Sequence, residues 1–207
     1  MEVHARRVGV DGPHGPLLEP TSLLVRPGEL VVVAGDPNRG HTALALVLSG
    51  RMRPSTGRVS PEAAELRRRV VPVDSPGVSE PEGALPLGGA VGEELALNGA
   101  RSGRAAVADW LAERDADRYL DTRVERVPPQ VRCALLLELA AGRPNAGVLV
   151  LDSPDRYHPD PPGWLDLARA RVAEDRSVVV LCTTASAALL DTPAARIGAD
   201  NTPEEAR

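Results

Sequence analysis

The sequence predicts an α/β fold: a mainly parallel sheet covered by helices, with an antiparallel N-terminal flank and a helical insertion. Three runs, Leu30 to Ala34 (LVVVA), Val148 to Leu151 (VLVL) and Ser177 to Cys182 (SVVVLC), are short, continuous and rich in β-branched residues, the pattern of strands buried on both faces. Helix-like segments lie between and before them, at His41 to Leu48, Arg132 to Ala141 and Gly163 to Glu174, and strands alternating with helices build parallel sheets. The length of 207 residues is more than one typical domain of roughly 150 residues and less than two. One domain carrying an inserted lobe fits that length.

In chain order, the first 25 residues hold two apolar stretches, Arg7 to Val10 and Ser22 to Val25, around the turn-rich segment Asp11 to Pro16. They read as an antiparallel pair beside the main sheet. Leu30 to Ala34 comes next, bounded by Gly28 and Gly35. The loop Gly35-Asp36-Pro37-Asn38-Arg39-Gly40 then leads directly into the helix His41 to Leu48, which Gly50 and Pro54 stop. Residues 75–105 are rich in Gly, Pro, Ala and Glu, and Ala105 to Arg118 is helical but polar on most faces. This middle is expected to be a helical lobe with mobile joints, residues 75–123, inserted into a core of residues 1–74 and 124–207. Gly142 is placed to end the helix Arg132 to Ala141. The last ten residues are expected to fray.

Composition removes several function classes. The 43% hydrophobic content is almost all aliphatic, with two Trp, two Tyr and no Phe, so an aromatic platform for single-stranded nucleic acid is not expected. A net charge of −5 also argues against nucleic acid as a partner, since a phosphate-backbone binder carries a basic stripe. The longest apolar stretch, Val178 to Leu190, is too short and too interrupted by Thr and Ser to span a bilayer. No signal-peptide pattern opens the sequence. Cys133 and Cys182 lie inside apolar runs, as unbridged thiols of a reducing, cytoplasmic compartment do. All 24 basic residues are arginine, which removes any mechanism that needs a lysine ammonium from this chain.

The loop is one residue away from G-x-x-x-x-G-K-[ST], the phosphate-binding P-loop: Gly35 and Gly40 hold the glycine spacing and His41-Thr42 opens the helix. At that spacing, loop and helix amides point inward at a phosphate and the helix dipole favours its charge. Ser22 to Val59, SLLVRPGELVVVAGDPNRGHTALALVLSGRMRPSTGRV, resembles the P-loop region of ATP-binding cassette (ABC) transporter subunits, with the same strand, PGE turn, loop, helix and P-x-x-G-x-[IV] in order. Ala90 to Leu95 (AVGEEL) resembles the start of that family's helical lobe, Val148 to Pro154 (VLVLDSP) its Walker B strand, and Arg176 to Thr184 falls at its switch strand. The resemblance implies an ABC-type P-loop core that binds ATP with magnesium. Gly35, Asn38, Arg39, Gly40, His41, Thr42 and Ala43 would cradle the phosphates, with Thr42 and Asp152 near the metal. It also implies a partner, either a membrane-embedded transporter subunit or a second ABC-type subunit in a dimer, at the inner face of the cell membrane.

The departures from that family fall at its catalytic positions. His41 replaces the phosphate-reaching lysine, and its imidazole is shorter and mostly neutral at pH 7. Ser153 stands where the family has its water-orienting glutamate, and a hydroxyl is a poor general base. The signature segment falls on Arg126-Val127-Pro128-Pro129-Gln130, where two prolines lack the amide hydrogens that position would donate. The lid glutamine aligns near Val73 and Asp74, the switch histidine near Thr184, and the adenine-stacking aromatic near Gly12 to His14, where only His14 has a ring. The expectation is a weakly nucleotide-binding, hydrolysis-deficient subunit acting in assembly or regulation. The alternatives are an active ABC-type ATPase with divergent motifs and a structural module that binds no nucleotide.

Overall fold

The computed structural model describes residues 1–172 and 176–202. In chain order the elements are β1 (Val3–Gly12), β2 (Gly15–Val25), β3 (Leu30–Gly35), α1 (His41–Leu48), β4 (Thr56–Ser60), α2 (Ala63–Arg69), β5 (Val70–Val73), α3 (Leu87–Leu97), α4 (Arg104–Ala112), α5 (Pro129–Ala141), β6 (Val148–Asp152), α6 (Pro161–Val172), β7 (Ser177–Thr183), α7 (Thr184–Ala187) and β8 (Ala194–Arg196). The three aliphatic runs are adjacent strands of a five-stranded parallel sheet, order β5-β6-β7-β3-β8. In register, Gly35 pairs with Thr183 and Asp152 with Leu181. The carboxyl ends of β3, β6 and β7 therefore meet along one edge, where open parallel sheets bind their ligands.

Alternation along the central strands divides the core. Val33, Val150, Val179 and Leu181 face α1 and the N-terminal strands through Leu44, Val47, Leu48, Val8 and Leu23. Val32, Leu149, Leu151, Val178 and Val180 face α5 and α6, where Trp164 is fully buried. The antiparallel strands are not a flank on the main sheet, as expected from sequence, but a separate three-stranded sheet in the order β2-β1-β4. Sandwiching α1 between two sheets buries the apolar face of each, which edge pairing alone would leave in water.

Several elements carry weak patterns. β4 (TGRVS) carries a single large apolar residue, and β5 (VVPV) is four residues long with a proline, tolerated because it is an edge strand. α3 is interrupted by three glycines but still buries Leu87, Ala90, Val91 and Leu95 on one face. In the middle of the chain these meet Val107, Leu111, Val124 and Val127, and Leu135 and Leu139 of α5, as a third apolar cluster. α6 begins two residues before the expected Gly163, and the end expected at Glu174 lies outside the described residues. Gly142 ends α5 with a right-handed φ of −71°, and the left-handed turn comes at Asn145. Of the ten residues expected to fray, those up to Thr202 are held: Ser22 donates to the Ala199 carbonyl and Asn201 N to the Ser22 carbonyl. Residues 203–207 lie outside the described residues.

One buried cation joins the middle segment to the core. Arg132 of α5 is 5% exposed. Its Nη2 lies 2.5 Å from Asp74 Oδ1, just after β5, and 3.6 Å from Glu80 Oε1. The Tyr157 ring stacks 4.1 Å beneath the guanidinium, its hydroxyl bonds Glu80, and Arg156 Nη2 donates to the Asp74 carbonyl at 2.6 Å. Burial pushes the Asp74 carboxyl above its ordinary value despite the opposing pull of Arg132. At Glu80 burial also pushes upward, but the Tyr157 hydroxyl and Arg156 outweigh it and hold the carboxyl low. The stabilisation from Glu80 is therefore complete above its ordinary value of 4.5 and is lost as pH falls through the lower folded-state value. Asp74→Ala strands a buried guanidinium and should destabilise the fold by about 3 kcal/mol. Asp74→Asn with Arg132→Met, in which Asn tolerates the φ of 55° at that position, should recover most of that loss, both measured by urea unfolding.

Candidate functional site

The site is built where β3 ends. After Gly35 the chain turns, with Arg39 N bonded to the Asp36 carbonyl at 3.2 Å and Asn38 at a φ of 65°, and α1 starts at His41. Gly40 has a φ of 95°, and a Cβ there would strike the Leu17 carbonyl of β2. Only glycine fits. No side chain caps α1, and its first satisfied amide is Leu44 N, 2.8 Å from the Gly40 carbonyl. The amides of His41, Thr42 and Ala43 thus lack intrahelical acceptors. Above them opens a concavity of about 770 Å³.

Of the residues expected at the site, Asn38, Gly40, His41, Thr42 and Ala43 line this concavity. Two do not. Gly35 lies beneath, against the His41 ring and Ile197, and the Arg39 guanidinium turns outward to Glu19 at 2.8 Å. His41 is placed differently from a phosphate-facing cation. Its ring is buried, with Nε2 2.9 Å from the Cys182 carbonyl. A carbonyl only accepts, so Nε2 carries the proton and is committed to β7. Asp152, fully buried, is also off the wall. Ser153 lies on the wall and donates to Asp152 Oδ1 at 2.9 Å, while Asp152 Oδ2 is buried without a hydrogen-bond partner.

Other groups shape the wall. Asp155 Oδ2 accepts from Thr183 N at 2.8 Å, Thr183 Oγ1 at 2.7 Å and Ser186 Oγ at 2.7 Å. Thr184 Oγ1 donates to Asp36 Oδ1 at 2.8 Å, which ties the start of α7 to the loop. Asp155 could be suspected from its place two residues after Ser153, but its partners lie where β7 ends and α7 begins, in a Thr-Thr-Ala-Ser run that carries no spacing signal. Arg156 also lines the concavity, yet it is held by Glu80 and the Asp74 carbonyl. His14 sits exposed at the β1–β2 turn, outside the concavity, and the exposed side chain of Leu17 supplies apolar wall instead. Burial pushes the thiols of Cys133 and Cys182 up to about 12, so both stay protonated and unreactive.

The complete topology has solved counterparts. An ABC transporter ATP-binding protein from Pyrococcus furiosus superposes with a TM-score of 0.69 over 97% of each chain at 16% identity. The ATP-binding cassette MJ0796, in a dimeric post-hydrolysis state bound to ADP and Pi, superposes with a TM-score of 0.65 over 87% of each chain at 18% identity.

The chain has the ATP-binding cassette fold.

Sequence similarity points the same way: the chain is 29% identical over 187 residues to the ABC transporter ATP-binding/permease protein Rv1747 of Mycobacterium tuberculosis. The match takes in 84% of this chain and 21% of that protein, so the chain spans about a fifth of its relative's length. No family model matches the chain.

The residues of this chain fit a phosphate group, because the three helix amides without intrahelical acceptors belong to residues that line a concavity of sufficient size. For magnesium, Thr42 stands on the wall and the orphaned Asp152 Oδ2 is an acceptor in want of a donor. Asp152 itself does not line the concavity, so that pair suits a hydrated ion rather than direct ligation by both groups. Asp155→Ala leaves three donors of Thr183 and Ser186 without their acceptor and should destabilise the fold by about 1.5 to 3 kcal/mol, measured by urea unfolding. Thr184→Ala removes only an exposed hydroxyl bond and should change stability by less than about 1 kcal/mol.

Proposed function

We propose that this cassette binds a nucleoside triphosphate weakly, does not hydrolyse it, and serves as an assembly or regulatory subunit of a membrane transport complex. One observation carries the reading: the chain contains no lysine, and the side chain at that position, His41, is turned to the Cys182 carbonyl. The α1 amides and Thr42 would hold the phosphates, and Asp152 would hold a magnesium ion through water. ATP with magnesium, when bound, would supply a neutralised triphosphate. Ser153 offers no base to orient a water, and Asp155 is occupied by Thr183 and Ser186. Positioned groups of these kinds supply several powers of ten each to phosphoryl transfer.

The partner is proposed from the same residues. In a head-to-tail dimer each nucleotide lies between one chain's loop and the other's signature, and here that signature is Val127-Pro128-Pro129. Neither composite site would be whole, even opposite an intact subunit. Docking on a membrane-embedded transporter subunit or a second ABC-type subunit, through the lobe at residues 75–123 and at the inner face of the membrane, suits such a chain better than powering transport. No described helix is long and apolar enough to cross a membrane.

A second reading, a cassette that binds no nucleotide, is favoured by the Asp155 carboxylate, whose Oδ1 is buried without a partner beside the phosphate cradle. A fluorescent ATP analogue with magnesium decides between them. Loss of the ammonium forfeits about 2 to 4 kcal/mol, so binding should be near-millimolar, and His41→Lys should tighten it by one to three powers of ten. No binding at millimolar analogue, in the wild type or in His41→Lys, would select the second reading. Phosphate release should stay at background in both chains, and release abolished by Asp152→Asn would show an active ATPase.

A further inference from the structure

The turn after β6 brings a cation to the wall of the concavity. Ser153 takes a φ of 52°, and the buried Pro154 opens a single 3₁₀ turn, Pro154–Arg156. Neighbouring side chains of that turn have different partners. Asp155 is bound to Thr183 and Ser186, while Arg156 is held by Glu80 and the Asp74 carbonyl and lines the concavity together with Pro76 and Ser153. Among the described residues on the wall, Arg156 alone carries a permanent positive charge. His41 is committed to the Cys182 carbonyl, and the Arg39 guanidinium is turned outward to Glu19.

The two partners of Arg156 hold it unequally. Nη2 donates to the Asp74 carbonyl at 2.6 Å, which anchors the head of the side chain. Nη1 lies 3.3 Å from Glu80 Oε1 and 3.4 Å from Oε2, longer than the roughly 2.7 to 2.9 Å of a charge-assisted bond. The Arg156 side chain is 28% exposed, so water weakens this ion pair further. Glu80 has other donors: the Tyr157 hydroxyl bonds Oε1, and Arg132 Nη2 lies 3.6 Å from the same oxygen. A guanidinium carries several N–H donors, so Nη1 can change partner while Nη2 stays on the Asp74 carbonyl. A phosphate is the stronger partner, because it brings more charge than a carboxylate and presents several oxygens to the guanidinium fork. The α1 amides that would hold such a phosphate belong to residues lining the same concavity.

We propose that Arg156 is the phosphate-binding cation of this concavity and that Glu80 engages its Nη1 until a nucleotide phosphate displaces it. The assignment rests on the nucleotide reading above and gives its weakness a cause: a positive charge is present on the wall, but a carboxylate competes for it.

The test is a double-mutant cycle on the full chain, titrated with a fluorescent ATP analogue and magnesium: wild type, Glu80→Gln, Arg156→Gln and the two together. Gln at position 80 keeps an acceptor for the Tyr157 hydroxyl and removes the charge that holds Arg156. Glu80→Gln should tighten binding about tenfold, and the gain should vanish once Arg156→Gln is added. A gain that persists in the double variant comes only from removing a negative charge near the site, and it would overturn the assignment. So would a Glu80→Gln chain that binds no tighter than the wild type, a result that needs no change at Arg156 and stands even if Arg156→Gln loses stability to urea. Arg156→Lys in the Glu80→Gln background keeps a point charge without the fork and should retain part of the gain; a loss equal to that of Gln would also overturn it. His41→Lys separates this assignment from the reading beneath it. If His41→Lys binds the analogue and Glu80→Gln does not, only the role of Arg156 falls, whereas failure of both chains to bind at millimolar analogue removes the two together.

Discussion

Every feature of the site depends on β3, β6 and β7 running parallel in neighbouring positions. That register sets the ends of three strands in one row, Gly35 beside Thr183 and Asp152 beside Leu181. Each strand then delivers its following loop to the same place: the glycine loop from β3, Ser153 to Arg156 from β6, and Thr183 to Ser186 from β7. The backbone bonds of the sheet are insulated by two aliphatic layers, so the row is rigid while the loops above it are free to differ in chemistry.

Around that row the polar side chains are directed at one another. His41 bonds to β7, Asp155 bonds to Thr183 and Ser186, and Arg156 bonds to Glu80 and the Asp74 carbonyl. The first joins α1 to β7, the second the segment after β6 to the end of β7 and α7, and the third the segment after β6 to the one after β5. The loops are thus cross-linked internally, and their arrangement does not wait on a ligand for its polar partners. Arg132 does the same between α5 and the segment after β5, where burial makes its carboxylate partner indispensable.

The antiparallel sheet is governed by a different balance. Its inner face is needed to cover α1, so its side-chain alternation is constrained by the core on one side only. The outer face tolerates a bulge at Arg7 and a cross-strand pair of arginines, Arg6 and Arg58, because water solvates them, and the local loss of stability is small beside the apolar surface buried beneath.

The central strands, α1 and the helices before β6 and β7 were legible in the sequence because their signal is local. A β-branched run flanked by glycines and an aliphatic helix each declare themselves within ten residues, and the spacing of Gly35 and Gly40 marks the loop without any knowledge of neighbours. The absence of lysine is equally plain from the sequence and bears directly on chemistry. What the sequence could not contain was which polar group meets which. The partners of Asp155 lie 28 and 31 residues away, that of Arg132 58 residues away, and that of His41 141 residues away. The separate antiparallel sheet was hidden for the same reason, since β4 (TGRVS) is a strand only because β1 offers it an edge. Apolar patterning is written along the chain, and it determined the fold of this protein. Hydrogen bonds and ion pairs need two groups brought within about 3 Å, and only the folded chain decides which two those are.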